Sequence, residues 1–175
     1  MAITGNSSYI PTLNQFLAHW AQCNAALGAT PLVVPGANNT TVTRAQFTTQ
    51  RDALQTQLNT IQACLIAQQV ERATILSRKT ALLARVSAFN GVLDAYYRNT
   101  DFYAARPYVP SLSDGQEVFS RPLGNVMSLW VKLNAGPAPA GVTLPLVLPD
   151  GTDQAAFAGA VSALQSAYAD GHCIR

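Results

Sequence analysis

Apolar positions along the chain fall into blocks of helical spacing, separated by breaks rich in proline and glycine. In the first block, "TLNQFLAHWAQCNAAL", Leu13, Phe16, Leu17 and Trp20, followed by Asn24, recur at intervals that place them on one helix face. Thr12, next to Pro11, is positioned to cap this helix and Gly28 to stop it. "ATPLVVPGANNT" then carries two prolines and a glycine, so it must be extended or turning.

From Ala37 to Asn90 there is neither glycine nor proline. Thr41 or Thr43 can cap a helix here, and helix formers dominate from Arg44 onward. Phe47, Leu54, Leu58, Ile61 and Leu65 make an apolar stripe. Leu76, Leu83, Val86, Leu93 and Tyr97 resume it beyond a polar gap holding Gln68, Gln69, Glu71 and Arg72. The gap contains no turn residue, which favours one long helix over 44–97 rather than a fold-back. Such a helix would be about 80 Å long at 1.5 Å per residue. A compact domain of this size has a radius of gyration of about 16 Å, so the expected molecule is elongated. Gly91 is a place for a bend.

"RNTDFYAARPYVPSLSDGQ" reads as an irregular, aromatic-rich return loop, and "RPLGNVMSLWVKLNA" as a short helix. "GPAPAGVTLPLVLPDGT" is again extended. The final helix, "DQAAFAGAVSALQSAYAD", has Thr152 or Asp153 as cap and Gly171 as stop.

Two of these stretches match. Leu13, Trp20, Asn24 and Ala25 correspond to Leu123, Trp130, Asn134 and Ala135. Pro31, Leu32, Val33 and Pro35 correspond to Pro145, Leu146, Val147 and Pro149, and Ala45, Phe47, Ala53, Leu54 and Gln55 to Ala155, Phe157, Ala163, Leu164 and Gln165. Register is kept in the helices and shifts only in the loops, where insertions are tolerated. The pattern predicts an all-α, elongated helical bundle with an internal duplication, two helix–PLV–helix units joined by one long helix. Within a single domain spanning 1–175, the first unit covers 12–60, the long-helix continuation and aromatic return loop 61–121, and the second unit 122–170. The Trp needs a partner for its indole N–H, and an Asn four residues on shares its helix face and can bond the incoming backbone. Each PLV phrase is apolar on consecutive residues and is expected to be covered on both faces. The two phrases can pair antiparallel about a pseudo-two-fold axis as a tiny two-stranded β-ribbon.

Composition sharpens this picture. Of the 175 residues, 49% are hydrophobic, enough for a core, but only 11% are charged, against roughly 25% in ordinary soluble proteins. Low charge weakens repulsion between molecules and fits a subunit covered by neighbours. The net charge of +2 is too mild for a nucleic-acid partner. No signal peptide and no apolar run of membrane-spanning length is visible, so the expected location is cytoplasmic, with export inside an assembly left open.

Candidate chemistry is sparse. His19 and Cys23 share a helix face, and His172 and Cys173 stand near the end of the chain, but adjacent His-Cys is a poor chelating pair. No metal, cofactor or catalytic set is expected. Cys23, Cys64 and Cys173, an odd count at irregular spacing, do not read as a disulfide framework. A basic stripe through Arg72, Lys79 and Arg85 reads first as a solvated face, with binding of an acidic partner as the sharper reading. Tyr96, Tyr97, Phe102, Tyr103 and Tyr108 are either loop packing or a platform for a protein or glycan. P-loop, nucleophile-elbow and zinc-protease motifs are absent from the sequence. The expectation is therefore a non-enzymatic structural subunit that self-assembles into a homo-oligomer, particle or filament. The alternative is a monomeric adaptor that binds through loop 96–108.

Overall fold

The structure, a computed structural model, describes residues 6–170. These residues are mostly helical. They form α1 (Asn6–Leu27), β1 (Val34–Pro35), β2 (Thr41–Val42), α2 (Arg44–Tyr96), α3 (Asp101–Ala104), α4 (Gln116–Ala135) and α5 (Gln154–Asp170). α2 is assigned without a break through the polar gap and through Gly91. No helix among the described residues is long and apolar enough to cross a membrane. The chain divides after Leu65 into two compact units.

In the first unit, α1 starts before Thr12 and passes through Pro11. A proline there forgoes one backbone hydrogen bond near the helix start, where few bonds are at stake. Gly28 ends the helix as expected. Its φ is +65° and its N–H reaches Asn24 O at 3.2 Å. β1 and β2 then pair antiparallel, Val34 opposite Val42 and Pro35 opposite Thr41. The turn between them includes Asn38 in the left-handed region, φ 56°. Gly36 donates to Thr40 O at 2.7 Å, and a Cβ on Gly36 would lie 2.7 Å from Thr40 Oγ1, so the close approach needs glycine.

The small sheet is thus a local hairpin and not a ribbon made from the two PLV phrases, which corrects the sequence expectation. Closing a short local turn costs less chain entropy than pairing segments more than a hundred residues apart. At the head of α2, Gln46 N–H donates to Thr43 Oγ1 at 3.3 Å and Thr43 N–H donates to Gln46 Oε1 at 2.8 Å. This is a reciprocal capping box.

The second unit holds one continuous hydrophobic cluster. α2 contributes Leu82, Val86, Phe89 and Leu93, α4 contributes Phe119, Leu123, Val126 and Trp130, and α5 contributes Phe157, Val161 and Leu164, with Leu146 and Leu148 from the extended segment. The alternation of buried Leu146 and Leu148 with exposed Val147 replaces the expected two-sided cover, because side chains of an extended chain point to opposite sides in turn. α4 begins at Gln116, earlier than the expected Arg121, and runs through the buried Pro122. Asp153 caps α5, its Oδ1 accepting from Ala156 N–H at 2.7 Å. The expected stop at Gly171 lies outside the described residues. The return loop is pinned by Asn90, whose buried Nδ2 donates to Pro107 O at 2.9 Å.

Asp150 closes the turn before α5. Its carboxylate accepts from Thr152 N–H at 3.0 Å and from Thr152 Oγ1 at 2.8 Å, and it faces Arg85 at 3.5 Å. The bonds from Thr152, with a lesser pull from Arg85, hold its pKa below the usual carboxylate value. A lowered folded pKa contributes stability above the ordinary carboxylate range, and that stability is lost as pH falls through the lowered value. Asp150→Asn should therefore flatten the acid limb of a plot of unfolding midpoint against pH. Capping predicts that Asp153→Ala and Thr43→Ala each cost about 1 kcal/mol in denaturant unfolding.

Candidate functional site

Each unit has the same small constellation. In the first, Trp20 Nε1–H donates to Leu32 O at 2.9 Å, and Leu32 N–H donates to Asn24 Oδ1 at 2.7 Å. In the second, Trp130 Nε1–H donates to Leu146 O at 3.2 Å, and Leu146 N–H donates to Asn134 Oδ1 at 2.8 Å. One helix thus grips both backbone polar groups of a single leucine in the extended segment. The i, i+4 spacing makes this feasible, because it stacks the indole and the carboxamide on one face. Phe47 lies 5.9 Å from Trp20, and Phe157 lies 5.7 Å from Trp130. Asn134 also donates through Nδ2 to Gln154 Oε1 at 3.1 Å.

The two clasps differ in cover. Trp130 and Phe157 are fully buried, and Phe89 of α2 closes over the indole at a centroid distance of 5.1 Å. Trp20 is buried too, but Phe47 is half-buried and Leu32 is exposed. All four flanking prolines, Pro31, Pro35, Pro145 and Pro149, are exposed. They lack N–H groups, so they leave no donor unpaired there.

The aromatic loop is divided. Tyr97, Phe102 and Tyr103 pack on the core, with Tyr97 edge-on to Phe102 at 5.8 Å. Burial raises the pKa of Tyr97 and of Tyr168, whose buried hydroxyls have no hydrogen-bond partner. Arg106 lies over the Tyr103 ring at 5.3 Å and pairs with Asp94 at 3.0 Å. Only Tyr96 and Tyr108 of the five face solvent. Tyr96 borders a hollow of about 350 Å³ lined by Val92, Val142, Pro145, Leu146 and Pro149.

The basic stripe does not stand free as a stripe. Arg72 is exposed, and Arg85 pairs with Asp150. Lys79 is buried, where the sequence suggested a solvated cation. Its ammonium donates to Leu112 O and Asp114 O and sits 4.8 Å from the centre of the Phe119 ring. Two carbonyls and an aromatic face replace the lost water. Arg78 Nη1 donates to Ala163 O, tying α2 to α5. No sequence signal marks these anchors, since the carbonyls that hold them come from a loop and a distant helix.

His19 Nε2 lies 3.7 Å from Cys23 Sγ. No cluster of three or more metal-ligating side chains occurs among the described residues, and His172 and Cys173 lie outside them. Cys23 is a free thiol. Cys64 is disulfide-bonded, which its irregular spacing did not indicate. Comparison with family models, with curated proteins and with solved structures returns no match.

The clasp makes a graded prediction. Asn134→Ala strips the acceptor from a partly buried N–H and should cost about 1–3 kcal/mol in urea unfolding. Asn24→Ala exposes its N–H to water and should cost less.

Proposed function

We propose that this chain is a non-enzymatic structural subunit that self-assembles into a homo-oligomer or a larger particle or filament. The observation that carries this reading is the set of large apolar side chains exposed on α2. Ile61 (52%), Leu65 (51%), Ile66 (61%), Val70 (61%) and Leu76 (51%) all face solvent. Residues 53–70 contain no Asp, Glu, Lys or Arg, so nothing on that stretch opposes the approach of another apolar surface. The twin clasps support an internally duplicated architecture, and each of them serves structure rather than chemistry, binding backbone groups with a neutral indole and a neutral amide.

A second reading, an adaptor acting through loop 96–108, keeps one observation in its favour: Tyr96 beside the proline-lined hollow. It has lost much of its platform, because Tyr97, Phe102 and Tyr103 are engaged with the core.

Self-assembly predicts a mass well above one subunit in light scattering at micromolar concentration, and regular objects in electron micrographs. A monomer under those conditions would remove the proposal. Capture of a peptide or glycan by that monomer, lost on replacing Tyr96 and Tyr108 with Ala, would favour the adaptor.

A further inference from the structure

The two units are unequal in what holds them together. Among the described residues of the first, only Leu17 and Trp20 are buried hydrophobic side chains, while the second carries the whole continuous core. Domains of about 60 residues are marginal even with a full core, and helices draw most of their stability from packing. The first clasp is also the uncovered one. Phe16 rests against Trp20 at 5.4 Å and Phe47 at 5.2 Å, yet is 42% exposed, as is Val33, with Leu32 at 41%. The corresponding Leu146 is 4% exposed. In the second unit a helix bearing Phe89 lies over the clasp.

Charge is divided just as unevenly. The chain has no Asp, Glu, Lys or Arg before Arg44, and up to Leu65 only Arg51 and Asp52 follow. Those two pair with each other at 3.2 Å.

We infer that the first unit is the surface through which two copies of this chain meet, the open clasp face and the Ile61–Leu65 turn of one copy packing on the same unit of the other. The inference rests on the self-assembly reading and adds the place of contact. The scarcity of charge, with Arg44 the one cation outside the Arg51–Asp52 pair, selects the occupant. A nucleic acid, an anionic membrane or an acidic peptide would require cations, and a basic partner would require carboxylates. An uncharged face complements another uncharged face, and a second copy supplies one by two-fold symmetry. A stable contact needs about 800 Å² and about 20–30 residues from each partner. α1, the Leu32–Val33 segment and the start of α2 would supply it, with the exposed edge of Phe16, backed by Trp20 and Phe47, as aromatic anchor.

Hydrogen exchange of the full wild-type chain over a dilution series, read by mass spectrometry alongside light scattering, tests the inference without altering the protein. As concentration and mass rise, amides of 6–27 and 44–65 should slow by about tenfold or more, while those of 82–93, 116–135 and 154–170 stay constant. A rise in mass with protection gained only beyond Ile66 would overturn the inference and leave self-assembly standing. A mass fixed at the monomer would overturn both. Where the assembly survives dilution, Ile61→Glu with Leu65→Glu should lower its mass to the monomer with exchange in 82–93 unchanged, and an unaltered mass would overturn the inference.

Discussion

An extended segment that belongs to no sheet still has to place its N–H and C=O groups, and leaving them buried without partners costs about as much as a lost hydrogen bond each. Here the solution is a helix acting as a substitute strand. Indole and carboxamide, one turn apart, supply the donor and the acceptor that a neighbouring strand would have supplied. In the first unit this grip on Leu32 sits two residues before the hairpin and leads the chain to the capping box at Thr43. In the second, the grip on Leu146 brings Leu148 to the core and delivers the turn at Asp150 to the start of α5. Both helix pairs therefore take their connection from the same two side chains.

The neighbours of each clasp give it a different weight. The second is sealed among three helices, and two of the polar side chains near it, Lys79 and Asn90, are held by backbone carbonyls. Lys79 enters a cluster-facing position with no carboxylate, held by loop carbonyls and the Phe119 ring. Asn90 spends its amide on the return loop. These contacts fasten the return loop to α2. The first clasp has no such investment and remains at the surface.

The sequence carried the helices well, because their apolar spacing and caps are local signals. The Trp–Asn step was readable for the same reason, and its recurrence at Trp130 and Asn134 drew attention to it. What was missed depended on non-local or compensated geometry. Thr12 reads as the start of the first helix and Arg121 as the start of the fourth, yet both helices begin earlier and run through Pro11 and Pro122. The likeness of the two PLV phrases points to a ribbon between them, whereas Gly36 and Asn38 make a nearer partner available to Val34. Lys79 read as a solvent cation because its cage is built by residues from Leu112 to Phe119, far along the chain.

The near-absence of charge before Ile66 has a consequence for handling the protein. Salt acts on charges by screening them, and this surface contains little to screen beyond Arg44 and the Arg51–Asp52 pair. Ionic strength is therefore a weak lever on this face. Solutes that act on apolar hydration, sulfate or urea for instance, are the strong ones. In a purification, chloride would leave the apolar surface before Ile66 unchanged, while a modest concentration of urea would act on it directly.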